Sequence, residues 1–163
     1  VTPHNILKSL NHYTGASRRF ETIGKIGPTT IIDDYAHHPE EIKATLLAAR
    51  EKFGKKQICV VFQPHQYNRT KNFLKEFGKS FADADMVIIP NIYEVRDSKS
   101  DKSSVSAETL VNEIGKDHAH VLDGNGMAQT TEFLKKNAKQ FSVIFTMGAG
   151  DVWKISRDLS ASQ

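Results

Sequence analysis

Short apolar runs rich in β-branched residues alternate along this chain with segments of helical period. That alternation limits the fold more than any other feature. The runs are Thr29-Thr30-Ile31-Ile32, Ile58-Cys59-Val60-Val61-Phe62, Met86 to Ile89, His118 to Leu122 and Ser142 to Thr146. Between the first two, Ile42, Leu46, Ala49 and Phe53 recur at spacings of four, three and four, the stripe of a core-facing helix. Pro39 suits the first position of that helix, and Glu40 and Glu41 suit the positive end of its dipole. The same reasoning predicts a helix carrying Phe73, Phe77 and Phe81 on one face. Further helices are expected around Ala107 to Ile114, Met127 to Lys136 and Val152 to Leu159. Residues 97–104, Asp-Ser-Lys-Ser-Asp-Lys-Ser-Ser, read as a solvated loop. Arg19 to Ile23 reads as an antiparallel edge strand, turned by Gly24 to Gly27 into the first core strand.

Strand–helix alternation of this kind predicts an α/β fold: an open, mostly parallel sheet with helices on both faces and one antiparallel edge strand. Uninterrupted apolar strands such as Cys59 to Phe62 suit a sheet buried on both sides. A length of 163 residues supports one domain with its own core. The single cysteine excludes an internal disulfide framework and fits a reducing, cytoplasmic setting, with Cys59 a small buried hydrophobe. No apolar run is long enough to span a bilayer. A net charge of +3 is too small to imply nucleic acid as a partner. The chain starts at Val1, not Met, as expected of a segment of a longer protein.

In an open parallel sheet, ligands bind beyond the carboxyl ends of the strands. Five polar or glycine-containing loops follow the predicted strands, so all five should share one rim. They begin at Asp33, Gln63, Asn91, Asp123 and Gly148. Asp33-Asp34-x-x-His37-His38 offers metal-ligand types, ribose or arginine partners, or a cap for the next helix. Gln63-Pro64-His65 opens a strand-to-helix turn whose free N–H groups would favour an anion, and Arg69 nearby could bind carboxylate or phosphate. Gly148-Ala149-Gly150-Asp151 is either a tight turn with Asp151 as N-cap or a phosphate contact. Arg18-Arg19 is a possible anion site. There is no G-x-x-x-x-G-K-[ST] phosphate loop, no G-x-S-x-G elbow, no H-E-x-x-H and no C-x-x-C.

Taken in order, Arg18-Arg19-Phe20-Glu21, Asp34-Tyr35-Ala36-His37-His38-Pro39-x-Glu41-Ile42, Phe62-Gln63-Pro64-His65-x-Tyr67-x-Arg69-Thr70 and Gly148-Ala149-Gly150-Asp151 resemble the C-terminal domain of the Mur ligases. The resemblance implies a Rossmann-like domain, residues 1–163, from a three-domain enzyme whose UDP-binding and ATP-binding domains lie outside this chain. It implies ATP-driven amide formation through an acyl phosphate in peptidoglycan precursor synthesis. The implied substrates are ATP, UDP-N-acetylmuramate and L-alanine, with recycling of murein tripeptide as the second reading. A stand-alone nucleotide-binding module and a metal-dependent hydrolase using Asp34, His37 and His65 remain as further alternatives. By motif position, Arg19 resembles the arginine that approaches the ATP phosphates, and Asp34 resembles the aspartate that helps hold the nucleotide. Tyr35 and His37 face the nucleotide or reaction centre on this resemblance, and His65 and Arg69 lie near the incoming amino acid. Gln66 stands where many members have arginine. Magnesium ligands are expected in the central domain, against which this one packs, with a hinge at or before residues 1–6. The domain alone is expected to be inactive.

Overall fold

The structure, a computed structural model, describes residues 2, 5 and 15–162. The hinge expected at or before residues 1–6 lies, but for residues 2 and 5, outside them. Six strands form one sheet: β1 (Glu21–Ile26), β2 (Thr29–Asp34), β3 (Ile58–Phe62), β4 (Met86–Ile89), β5 (Val121–Asp123) and β6 (Val143–Met147). Their order is β1-β2-β6-β3-β4-β5. The β1–β2 pair is antiparallel and every other pair is parallel. The α/β class and the antiparallel edge follow the sequence expectation.

The interior strands show why their sequences are apolar without a break. Along β3, Ile58, Val60 and Phe62 point to one face and Cys59 and Val61 to the other. The first face is covered by α1 (Pro39–Phe53) through Ile42, Leu46 and Ala49, and by α5 (Ala107–Ile114) through Leu110 and Ile114. Phe77 of α3 (Leu74–Gly78) and Phe81 close that core against Phe62, at ring separations of 5.3 and 5.4 Å. The opposite face is covered by α6 (Met127–Asn137), the 3-10 turn Ala138–Gln140 and α7 (Trp153–Ser160), through Leu134, Ile155 and Leu159. Cys59 is fully buried and burial pushes its thiol far up, as expected of an inert hydrophobe.

Several boundaries differ from the sequence reading. The edge strand starts at Glu21, not Arg19, and runs on through Gly24 to Ile26, so the turn is only Gly27-Pro28. Gly24 sits beside a register shift and packs on Ser160, which explains a glycine inside a strand. The phenylalanine helix is two pieces, α2 (Tyr67–Asn72) and α3, broken at Phe73, and Phe81 lies beyond them. The Ser80 hydroxyl donates to the Glu76 carbonyl at 2.7 Å and helps end α3. Residues 97–104 are not all loop: α4 (Lys99–Ser104) forms behind a Ser98/Asp101 capping box. β5 is shifted toward Asp123, because the turn that follows α5 runs on to His118, whose amide bonds the Ile114 carbonyl.

Candidate active site

The parallel strands deliver their C-terminal loops to one rim. The chain leaves β3 toward one face of the sheet and leaves the adjacent β6 toward the other, which opens a crevice between Gln63 and Gly148.

Arg18 is the bolt of this rim. Its Nε donates to Asp33 Oδ2 at 2.7 Å, Nη2 to the Gly148 carbonyl at 2.6 Å and Nη1 to the Gly150 carbonyl at 3.3 Å. Asp33 is 1% exposed and accepts a second bond, 2.5 Å, from the Thr146 hydroxyl. Burial pushes the Asp33 carboxyl above its ordinary range, with Arg18 and Thr146 pulling back against it. The neighbouring Arg19 is turned outward. It lines a cleft of about 570 Å3 along Gly15 to Thr22, from which Arg18 is absent. Its guanidinium lies 5.5 Å from the Tyr35 ring centroid, and it makes no hydrogen bond or ion pair among the described residues. The arginine pair is therefore split, one member bonded into the fold and one turned out over Tyr35.

Asp34 is committed inward. Its oxygens accept from the Phe20 amide at 2.7 Å and the Ala36 amide at 2.8 Å. They hold a loop in which Arg18 and Phe20 both take left-handed φ values, 57° and 48°. The arginine–aspartate ion pair at this strand end is Arg18–Asp33, and the Arg19 guanidinium forms no hydrogen bond or ion pair with Asp34. His38 takes the capping alternative: its Nδ1 accepts from the Glu40 amide, and the Glu41 carboxylate accepts from the His38 amide. The metal reading of this loop fails, because Asp33, Asp34, His37 and His38 each face different partners. Among the described residues no group of three or more His, Cys, Asp or Glu is placed to hold a metal ion.

Aromatic rings form an arc across the rim. Tyr35 and His37 centroids lie 5.4 Å apart, His37 and His65 6.2 Å, and His65 and Tyr93 5.6 Å in a near-parallel stack. Burial lowers the His65 pKa first, with Arg69 and His37 adding to it against Asp97, so the ring is neutral at neutral pH. The Arg69 side chain has no hydrogen bond or ion pair among the described residues, whereas Gln66 is occupied, its Nε2 donating to the Val95 carbonyl.

Three rim residues have roles that the sequence did not assign to them. Gln63 is fully buried and ties three strand ends: Nε2 donates to Asn91 and Asp151, and Oε1 accepts from the Val152 amide. A polar residue at the end of an all-apolar strand was its available signal. Asp97 caps α2 from a distant loop, accepting from the Tyr67 and Asn68 amides. Those amides are thus already satisfied, which corrects the expectation of an open anion site there. Tyr93 lies over Gly150, where an added Cβ would come within 2.6 Å of its ring. Asp151 is not an N-cap either: α7 starts at Trp153, and the Asp151 carboxylate accepts from Gln63 and Lys154.

Residues 18–150 match the family described as Mur ligase, glutamate ligase domain. The chain belongs to the Mur ligase family. A UDP-N-acetylmuramate–L-alanine ligase of Acetivibrio thermocellus is 48% identical over 153 residues, 93% of this chain and 32% of that protein. One of the same name from Alkaliphilus metalliredigens is 42% identical over 163 residues, 100% of this chain and 35% of its own. Among solved structures, the MurC ligase of Thermotoga maritima superposes with a TM-score of 0.64 at 28% identity, over 94% of this chain and 31% of that one. This Mur ligase domain spans about a third of the length of the curated relatives it matches.

Glu41 gives this domain a pH signature. Burial alone would raise its carboxyl, but the amides of His37 and His38 outweigh it and hold it below the ordinary 4.5. A depressed carboxylate stabilises the fold fully above its ordinary value, and that contribution is lost as pH falls through the folded one. We expect Glu41→Gln to be less stable than the parent at neutral pH. The difference should shrink on acidification below about 4.5, as read by urea denaturation at a series of pH values.

Proposed function

We propose that this chain is the C-terminal domain of an ATP-dependent ligase that adds L-alanine to UDP-N-acetylmuramate in cytoplasmic peptidoglycan precursor synthesis. The observation that carries the reading is a pair of guanidiniums without hydrogen bonds among the described residues, Arg19 and Arg69, at the two ends of the Tyr35–His37–His65 arc. The relatives' shared name supplies the substrates.

In this reaction the lactyl carboxylate attacks the γ-phosphate of ATP, and the resulting acyl phosphate is attacked by the alanine amine. Arg19 faces the developing phosphate charge, where a preorganised cation lowers the barrier. Arg69 holds the alanine carboxylate and so fixes the approach of the amine. Asp34 acts on the nucleotide side by holding the loop that presents Arg19 and Tyr35. The other two domains supply the phosphate loop and the magnesium ligands, and this domain closes against the central one. The isolated domain carries no turnover of its own.

The test is ADP release by the full-length ligase, which should require both UDP-N-acetylmuramate and L-alanine. Preference for a tripeptide would replace this reading with the recycling ligase. Arg19→Ala should lower turnover roughly 100-fold or more, the order expected for a lost transition-state contact. Its fold should be unchanged by circular dichroism, since the side chain is exposed. Near-normal turnover would remove Arg19 from the site.

A further inference from the structure

His37 and His65 hold their protons on opposite nitrogens. The Nδ1 of His37 lies 3.0 Å from the Tyr35 carbonyl and 3.3 Å from Glu41 Oε2. Both neighbours are acceptors, so Nδ1 carries the proton and Nε2 keeps its lone pair. The side chain is 22% exposed, and its Nε2 is neither bonded nor among the buried unpartnered atoms. That lone pair therefore faces open space on the rim. In His65 the pattern is reversed. Its Nδ1 is buried without a partner. A buried orphan N–H is rarer and costlier than an unmet acceptor, so the proton sits on Nε2. The stack on Tyr93 fixes the ring in that orientation.

The incoming amino acid arrives as an ammonium ion and must lose a proton before it can attack. We infer that His37, held by Glu41, is the base that takes this proton at Nε2, while His65 acts beside it only as a neutral hydrogen-bond donor. The inference rests on the ligase reading above. The proton moves from the amine nitrogen to His37 Nε2 and leaves an imidazolium paired with Glu41. The freed electron pair forms the bond to the acyl carbon, the carbon–oxygen bond to phosphate breaks with its electrons on the phosphate, and the second proton that the nitrogen sheds on becoming an amide leaves on the departing phosphate. His65 cannot take this part, because a second proton would have to go on its buried, unpartnered Nδ1. The charged and titratable groups facing the pair are Glu41, Tyr35, Arg19 and, across the rim, Arg69 and Asp97. Glu41 Oε2 lies 3.3 Å from His37 Nδ1, whereas Arg69 opposes charge on His65.

Long-range nitrogen–proton NMR of this chain reads both rings directly. The expected spectrum has Nδ1–H at His37 and Nε2–H at His65 when neutral, and the reverse at His37 would overturn the inference. This measurement needs no turnover, so it stands apart from any failure of the ligase reading. In the full-length enzyme, His37→Gln should slow amide formation with L-alanine about 100-fold at neutral pH, the usual scale of a lost general base. The loss should ease as pH rises and the free amine becomes abundant. Hydroxylamine, already uncharged at neutral pH, should still be converted to the hydroxamate within about three-fold of the parent rate, since it needs no deprotonation before it attacks. Equal loss with both amines, or a loss that pH does not relieve, would assign His37 to positioning and overturn its role as the base.

Discussion

Arg18→Ala is expected to destabilise this domain by about 3 kcal/mol, the low end for removing one partner of a buried ion pair. The low end applies because the Arg18 side chain is 20% exposed while Asp33 is 1% exposed. Three groups lose a donor together, the Asp33 carboxylate and the Gly148 and Gly150 carbonyls, and with them β2 loses its tie to the β6 loop. For a domain of this size the effect corresponds to a melting temperature lower by roughly 6–12 °C. The pH dependence has a definite sign. Burial already raises the Asp33 pKa, and loss of the cation raises it further. The penalty should therefore be largest at neutral pH and shrink as acid protonates Asp33 in the variant. Arg18→Lys keeps the charge but not the three-way fork, so it should recover only part of the loss. A penalty under about 1 kcal/mol would mean that the pair behaves as a surface contact.

Gly148→Ala should be of similar size, about 3 kcal/mol, for two reasons that add. Its φ of 141° is open to glycine and strained for any other residue. An added Cβ would also stand 2.5 Å from the Gln63 carbonyl oxygen, a backbone atom that cannot swing aside. Relief would require pulling β3 and β6 apart at the crevice itself, so the variant should also lose the Gln63 bonds to Asp151 and Val152. Gly27→Ala separates the two causes, because Gly27 has φ 55° but nothing within 4 Å. It should cost only the backbone strain, about 1 kcal/mol. Equal penalties in urea denaturation would show that crowding at Gly148 contributes nothing.

The sheet could be read from the sequence because its interior strands are buried on both faces, which leaves no polar residue to blur the pattern in Ile58 to Phe62. The edge hairpin was harder. Gly24 reads as a turn residue, yet it is a close-packing position against Ser160. Chain order alone put the Asp33, Gln63, Asn91 and Gly148 loops on one rim. Which member of each adjacent pair does what could not be read. Arg18 faces inward and Arg19 outward because the backbone turns left-handed at Arg18 and Phe20, and those values are imposed by Asp34 from the next strand. The capping role of Asp97 was likewise invisible, since its partners are 30 and 29 residues away. A Ser98-x-x-Asp101 capping box was present in the sequence and outweighs the polar composition of its segment.

The remote cap on α2 also sets what can be exchanged between related ligases. Residues 63–70 look like a self-contained motif, but the helix they begin is terminated at its front by a carboxylate from residue 97, and Gln66 at φ 73° is pinned to the Val95 carbonyl. A chimera that transplants the first loop alone inherits an unsatisfied helix end and a strained turn with nothing to hold it. The inheritable unit at this end of the sheet is two loops, 63–70 and 91–97, which keep their helix cap and turn only when both are moved together.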